Sequence, residues 1–435
     1  MRKWLIYFSI AFLLACESSS SSSKAITLPK EEQTTKTTAP ELQMSQAEYQ
    51  DRILGALVGS AIGDAMGSPV EMWTTDAIEE RYGFIDGLIP NIRPAGAEGP
   101  WKTNMAAGTG TDDTRWKQLM GYYFLSLPNG EAPSDFSFAN FIVEQYEQLK
   151  QSIIEEDGLV PDRLESSTRY LQWMQEWVKV AEAYRNKDVR EYANTLPKFY
   201  GGEMSCAGML YAPLLGILYP SVPANAYESA WELSLFDLGY AKDITAMTAA
   251  LSAASFTNEI SAEQLLAIHY EVDEQNFADS RLIGRIVNGV YETALREHTI
   301  AKQTDSLILK INNLPSYFQG DSLRYQHLLL LYENMNYKLK DIPFHAHEIY
   351  MISLYALLYA EGNFMDAMCF ITNFGRDNDT VAAVVGTILG IQSGYKALPP
   401  ELAKTVIEAH KTELNIDLED LAEQLSEQFY PQLKR

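Results

Sequence analysis

Cysteine is nearly missing from this 435-residue chain, which has three. Cys16 stands near the start, so Cys206 and Cys369 allow at most one intramolecular disulfide between them, and stability must come from a packed core. No CxxC pair or tight Cys/His cluster accompanies them, which excludes a zinc site of the usual spacing. Basic residues are also scarce: 34 Lys and Arg stand against 58 Asp and Glu, a formal charge of −24. That balance excludes nucleic acid as a partner, because phosphates demand a basic surface, and it offers little to anionic lipid. It is compatible with cation binding, although most of these carboxylates form a solvated exterior. Alternating β-rich runs between tight turns are few. Apolar residues recur instead at three and four, as in residues 171–180 and 349–359, the period of a buried helix face. With 46% of the chain hydrophobic, a sizeable core is available. The expected fold is a single all-α domain, with breaks near 87–110, 128–136, 155–162, 311–322 and 340–344.

Several catalytic signatures are missing as well. Gly108-Thr109-Gly110 is followed by no Gly-Lys-Ser/Thr, so it is not a phosphate-binding P-loop. No GxSxG elbow supports a hydrolase triad. His345-Ala346-His347-Glu348 is not HExxH, and i, i+2 spacing turns two imidazoles to different faces of a helix. That pair suits a helix start better than a metal.

What is present begins with a leader. Arg2 and Lys3 precede an apolar run, residues 4–14, too short to span a bilayer and laid out as an export signal. The run ends in Leu13-Leu14-Ala15-Cys16, which resembles the bacterial lipobox. That resemblance implies removal of residues 1–15 and lipidation of Cys16; an ordinary signal peptide with a chance cysteine is the alternative. Residues 18–23 are all serine, and polar residues with proline continue to about Leu42. Such a segment buries almost nothing, which predicts a disordered tether over 16–45 and a folded domain over 46–435. The expected location is outside the cytoplasm, on the periplasmic or cell-surface face of a bacterial membrane, held there by lipid alone.

Two segments share an unusual glycine spacing. Gly55, Gly59, Gly63 and Gly67 lie four apart, as do Gly386, Gly390 and Gly394. Each glycine inside a helix costs roughly 1 kcal/mol relative to alanine. Two such series make sense only where a neighbouring backbone approaches the smooth face they create. The same spacing occurs in membrane-spanning dimers, but Asp64 inside the first series, and the lack of basic flanks, predict a buried helix of a globular fold.

Acidic motifs sit beside glycine-rich turns at three places. They are Gly63-Asp64-Ala65-Met66-Gly67-Ser68-Pro69-Val70-Glu71, Gly108-Thr109-Gly110-Thr111-Asp112-Asp113-Thr114, and Gly375-Arg376-Asp377-Asn378-Asp379-Thr380. Singly, each reads as a helix cap, since Thr and Asp accept hydrogen bonds from free backbone N–H groups and complement the helix dipole. A cap needs one short polar side chain, whereas these turns supply adjacent carboxylates with hydroxyls. Asp112 with Asp113, and Asp377 with Asp379, would repel if brought together uncompensated. Hard divalent cations, Mg²⁺ foremost, offer that compensation through oxygen ligands, and four carboxylates suit two ions.

This set of motifs resembles the ADP-ribosylglycohydrolase family: an early helix ending in GDAxGxPxE, a TDDT turn, and a late GxDxDT turn opening a small-residue helix. The likeness covers roughly residues 48–396 and includes Ala382-Ala383 after the last turn. It implies an all-α fold with a two-metal cleft holding Mg²⁺, with Mn²⁺ as a substitute. The ligands it implies are Thr111, Asp112 and Asp113 from one side and Asp377, Asp379 and Thr380 from the other. Glu71 takes the place of a loop glutamate beside the metals that gates the site or assists proton transfer, and Asp64 supports the site from behind. Glu71, Asp112 and Asp379 are the implied catalytic residues, a water attacking the anomeric carbon of a ribosyl linkage with a carboxylate as base.

The central segment 201–213 departs from the family pattern, which has an arginine where Leu210 stands. The family's mid-domain histidine is also missing, with Phe236-Asp237-Leu238-Gly239-Tyr240 roughly in its place. Trp73, Trp101 and Trp116 could stack on a base or sugar, though aromatics flanking apolar helices more often pack in the core or its rim. Three readings follow. One is hydrolysis of an ADP-ribosyl or related linkage on a small-molecule or ADP-ribosylated substrate. Another is a metal-dependent N-glycosidase on a different nucleoside- or sugar-like substrate, and the third is a non-catalytic binding protein that keeps the fold.

Overall fold

The computed structural model describes residues 44–92, 104–128, 130–157, 171–304, 315, 318 and 320–434. They belong to one compact unit, Glu41–Arg435. Cys16, the serine run and Trp101 lie outside the described residues. Among those described the fold is all-α, and the strands are two antiparallel ladders of two residues a side.

Glycine spacing sets the centre of the molecule. Helix Gln46–Gly67 lies against helix Asn378–Ser393. They are so close that a Cβ on Gly55, Gly59 or Gly63 would strike the carbonyl oxygen of Gly390, Gly386 or Ala382 respectively. The helix propensity lost at each glycine is offset by backbone contact that a side chain would forbid. Gly67 continues the stripe onto the backbone of Asp379, so the tightest packing in the core ends at the acidic turn. The first of these helices is long and apolar enough to cross a membrane, yet almost all of it is buried inside the fold, as Asp64 within it suggested.

That helix starts at Ser45, whose Oγ accepts from Glu48 N at 3.2 Å. Met44 is buried in the core, and its carbonyl accepts from Tyr430 Oη at 3.0 Å. Residues 44 and 45 therefore sit with the folded body rather than in the tether, whose polar composition hides one apolar side chain with a partner far along the chain.

Other buried helices complete the core, notably Ala241–Ala254 and Ala346–Ala360. The second opens on His345, whose Nδ1 accepts from His347 N at 3.1 Å, so the histidine pair does mark a helix start. Trp116 is fully buried, 5.3 Å from the ring of Trp173 and 4.0 Å from that of Trp177. It packs the core instead of offering a stacking surface. Trp73 is half-buried against Tyr82 and the small Val70, Ile78 and Ile85 cluster. Arg285 and Asp243 form a buried ion pair at 2.6 Å, and Asp243 also accepts from Tyr227 Oη at 2.7 Å.

Candidate metal centre

One side of the site is assembled by a clamp. Strand Trp73–Thr74 pairs antiparallel with Gly375–Arg376, and Met72 N donates to Arg376 O at 2.7 Å. Met72 and Arg376 adopt φ of 65° and 67°, a left-handed conformation that costs a side-chain-bearing residue of order 1–3 kcal/mol and survives only where its surroundings enforce it. Glu348 provides that enforcement. Fully buried, it accepts from Arg376 Nε at 2.6 Å, from Arg376 Nη2 at 3.1 Å and from Lys340 N at 2.6 Å. Asn373 fixes the incoming loop by bonding both Ile85 N and Ile85 O at 2.8 Å. The result is that ligand oxygens of Glu71, Asp377 and Asp379 lie within 4.8 Å of one another.

The opposite side is built on Asp64. Its fully buried carboxylate accepts from Thr111 N at 2.8 Å, Thr111 Oγ1 at 3.0 Å, Thr114 N at 3.1 Å and Thr114 Oγ1 at 2.6 Å. It thereby caps helix Asp112–Ser126 from another part of the chain, satisfying N–H groups that would otherwise be orphaned. Asp113 comes next. Thr380 Oγ1 lies 3.0 Å from Asp113 Oδ2 and 3.2 Å from Asp377 Oδ1, so one hydroxyl bridges the two sides. One helical turn beyond Asp113, Lys117 is also buried, with Nζ 3.7 Å from Asp113 Oδ1 and 3.4 Å from its backbone carbonyl. Burial pushes the Asp113 carboxyl well above the usual carboxylate range, against the pull of Lys117. Burial likewise lowers the Lys117 ammonium, and Asp113, Asp64 and Asp112 oppose it.

Between the two sides lies a narrow cleft. Glu71, Asp112, Asp113, Asp377, Asp379 and Thr380 line it together. Thr111 does not: it is fully buried and its hydroxyl is turned to Asp64. Leu210 lines the cleft, as do Trp177, Tyr200 and Phe344, which no sequence signal had singled out. The segment before Leu210 is stapled to the start of helix Ala346–Ala360, with Cys206 N donating to Phe344 O at 2.9 Å and Ala346 N to Met204 O at 2.8 Å. Cys206 and Cys369 are separate thiols. The Cys206 sulfur lies 3.8 Å from Asp377 Oδ2, and burial, then the charge of Asp377, push its thiol well up. Behind this loop, Asp237 accepts from Gly208 N at 3.0 Å. Burial raises its carboxyl to about 6, with the Gly208 amide, Thr245 and Lys242 pulling the other way.

One residue of the site was legible in principle but overlooked, and one pairing was not legible at all. Lys117 stands four residues after Asp113, the spacing of a helical ion pair. Arg376 and Glu348 both fall inside the motifs, but nothing in the sequence pairs them.

The donor set fits a hard divalent cation. Five carboxylates and a hydroxyl converge on the cleft, and the buried Asp113 Oδ1 has no hydrogen-bond donor. Oxygen ligands of this kind suit Mg²⁺ or Mn²⁺, whereas Cys206 is held as a thiol. The molecule is thus an all-α protein with an acidic, oxygen-lined cleft between two helix starts. A profile of the ADP-ribosylglycohydrolase family matches residues 45–434, and the chain belongs to that family of hydrolases. It is 41% identical over 68 residues to the uncharacterized protein YegU of Escherichia coli (strain K12), an alignment that spans 15% of this chain and 18% of that protein. A solved ADP-ribosylglycohydrolase-related protein complex contains a chain similar to this one at 18% identity, with a TM-score of 0.48 over 88% of this chain and 99% of the other.

Proposed function

We propose that the chain is a divalent-cation-dependent hydrolase, with Mg²⁺ as its ordinary ion, acting on an ADP-ribosyl or related ribosyl glycosidic bond. The observation that carries this reading is the meeting of Glu71, Asp112, Asp113, Asp377, Asp379 and Thr380 on one cleft, together with family membership. Asp377, Asp379 and Glu71 would hold the cation from one side, and Asp112 and Asp113 would face it from the other. When bound, the cation supplies Lewis acidity, orienting sugar hydroxyls and acidifying water. Glu71 is half-buried at the cleft rim, placed to take a proton from the attacking water at its carboxylate. Trp177, Tyr200 and Phe344 offer apolar and aromatic wall to a sugar or base and exclude bulk water from the carboxylates. Thr111 acts through Asp64, fixing the helix start that carries Asp112.

Leu210 favours one second reading, an N-glycosidase on a nucleoside-like substrate without a diphosphate, because it gives the cleft wall an apolar side chain where the family pattern has a cation. A hydrolysis panel separates the two. ADP-ribosyl-arginine, ADP-ribosyl-serine, ADP-ribose derivatives and free nucleosides are incubated with the full chain and Mg²⁺. Turnover of ADP-ribosyl substrates supports the first reading and turnover of nucleosides alone the second. Inactivity across the panel with the cation still bound overturns both.

The leader belongs to the same proposal. Arg2, Lys3, the apolar run and Cys16 before the serine segment support export and lipid anchoring, which would put this cleft outside the cytoplasm. Cys16→Ser should move the protein from the detergent phase to the aqueous phase on partitioning; unchanged partitioning sinks the anchor.

A further inference from the structure

We propose that a second pocket, lined in part by Phe84, Asp86, Arg324, Tyr359, Asp366 and Phe370, binds an organic cation with a guanidinium head. The inference is independent of the cation-dependent reading above, because this pocket and the acidic cleft have no lining residue in common.

Charge points first to a cation. Arg324 Nη2 donates to Asp366 Oδ2 at 2.6 Å, so those two charges answer each other. Asp86 is exposed and has no cation matched to it among the described residues. The lining therefore carries one more carboxylate than it has basic groups. That excess reaches the pocket's interior. Cys369 also lines it, and burial, then the charges of Asp86 and Asp366, push its thiol up to about 12. An anion would meet two carboxylates and a guanidinium already engaged by one of them.

The walls then favour a guanidinium. Arg324 lies with its Cζ 4.4 Å from the centre of the Tyr359 ring while bonding Asp366, so the pocket already contains one guanidinium held between a ring and a carboxylate. Aromatic faces attract cations, and a guanidinium is planar and more weakly hydrated than an ammonium. Phe84 and Asp86 supply the same two parts, ring and carboxylate, from a single loop. That loop is fixed before any ligand arrives. Asn373 bonds Ile85 N and Ile85 O at 2.8 Å and Cys369 O at 2.8 Å. This ties the residue between Phe84 and Asp86 to helix Phe364–Phe374, which carries Asp366 and Phe370. Such preorganisation lowers the entropic cost of binding. The pocket's volume, about 230 Å³, is below the roughly 300–1,000 Å³ of sites for drug-sized ligands. It suits a cationic head on an alkyl stem rather than a whole nucleotide.

Calorimetry on the full chain, with Mg²⁺ present, tests this without any turnover. N-acetyl-arginine methylamide should bind. Its citrulline counterpart, which has nearly the same shape without the charge, should bind about 10-fold more weakly or worse. Asp86→Asn keeps the side chain's shape and removes its charge; it should weaken the capped arginine by about 5-fold or more. Phe84→Leu should weaken it too, and Asp379→Asn, in the cleft, should leave it unchanged. Methylguanidinium separates the sources of the head: binding as tight as the capped arginine assigns a free small cation, and a clear preference for the capped arginine assigns a peptide-borne side chain. Absence of binding, equal binding of the citrulline counterpart, or preference for a capped glutamate overturns the inference. So does binding lost in Asp379→Asn but kept in Asp86→Asn, which would place the ligand in the acidic cleft. If Phe84→Leu fails to fold, the exposed Asp86→Asn decides the matter.

Discussion

The two acidic sides of the cleft solve one electrostatic problem by different means. On the Asp64 and Asp113 side, the protein supplies its own compensation: two amides and two hydroxyls for Asp64, a lysine and a threonine for Asp113. On the Glu71, Asp377 and Asp379 side, a strained and doubly clamped turn forces ligand oxygens to within 4.8 Å of one another. Carboxylates brought this close repel, and a cation among them relieves that repulsion. The first side is thus compensated within the fold, while the second, where Thr380 donates to Asp377 and Asp379, is the side on which a cation would sit under the proposed function. Side chains from the two should accordingly fail differently when removed.

The largest expected effect lies on the second side. Asp379→Ala removes a proposed ligand, and a bound ion would contribute several kcal/mol of charge stabilisation at 1.4 kcal/mol per decade, so hydrolysis should fall by roughly 1000-fold or more. Calorimetric Mg²⁺ binding should vanish with it, while thermal stability without metal should hold or rise as repulsion is relieved. Unchanged Mg²⁺ binding would break the distinction between the two sides.

Next is Asp64→Ala, on the compensated side. Here the fold should suffer first. Removing a buried acceptor of four hydrogen bonds orphans the N–H groups of Thr111 and Thr114, at a cost of about 3–5 kcal/mol. A displaced support for ligands typically weakens metal affinity by about 10- to 100-fold. Urea midpoints and Mg²⁺ titrations read the two effects separately. A large loss of affinity with no loss of stability would mean that Asp64 is itself a ligand.

How much of this was legible in sequence follows the same division. Local chemistry was readable: the glycine series announced the helix contact, and the three turns announced carboxylates in need of compensation. Even the histidine pair at 345 and 347 read correctly as a helix start. Long-range pairings were not readable. Thr111 resembles a metal ligand by motif, yet its hydroxyl goes to Asp64, 47 residues earlier. Arg376 owes its left-handed backbone to Glu348, and nothing in either residue's neighbourhood names the other. The cleft wall of Trp177, Tyr200 and Phe344 comes from three distant segments with ordinary core-like patterns. Met44 shows the reverse case, one apolar residue in a polar stretch, which composition averages away.

A third expectation concerns the loop behind the cleft. Asp237 titrates at about 6 in the folded protein against an ordinary 3.8, because it is buried. Below about pH 4 it is protonated whether the chain is folded or not. Between there and pH 6 the unfolded chain gives up the proton while the folded one keeps it, so stability falls as pH rises. The loss should reach on the order of 3 kcal/mol by pH 7, at 1.36 kcal/mol per pH unit. Asp237→Asn keeps an oxygen for the Gly208 amide and should flatten urea midpoints across that window. An unchanged slope would mean that other groups carry the dependence.

The smallest effect should come from Cys206, the thiol among the described residues that line the cleft. Its sulfur is 3.8 Å from Asp377 Oδ2, near enough to look like a ligand on either side of the comparison. Burial and the adjacent carboxylates keep it a thiol, however, and the thiolate is the form that binds metal or attacks carbon. A thiol at that distance is a weak donor to Asp377 and a small apolar filler. Cys206→Ala should therefore change turnover by less than about 10-fold, within roughly 1.4 kcal/mol of barrier, and leave Mn²⁺ stoichiometry as it was. If turnover drops by two decades, or the bound ion shows a sulfur ligand that the variant loses, then the second side is not an all-oxygen site and the contrast with the first must be redrawn around Cys206.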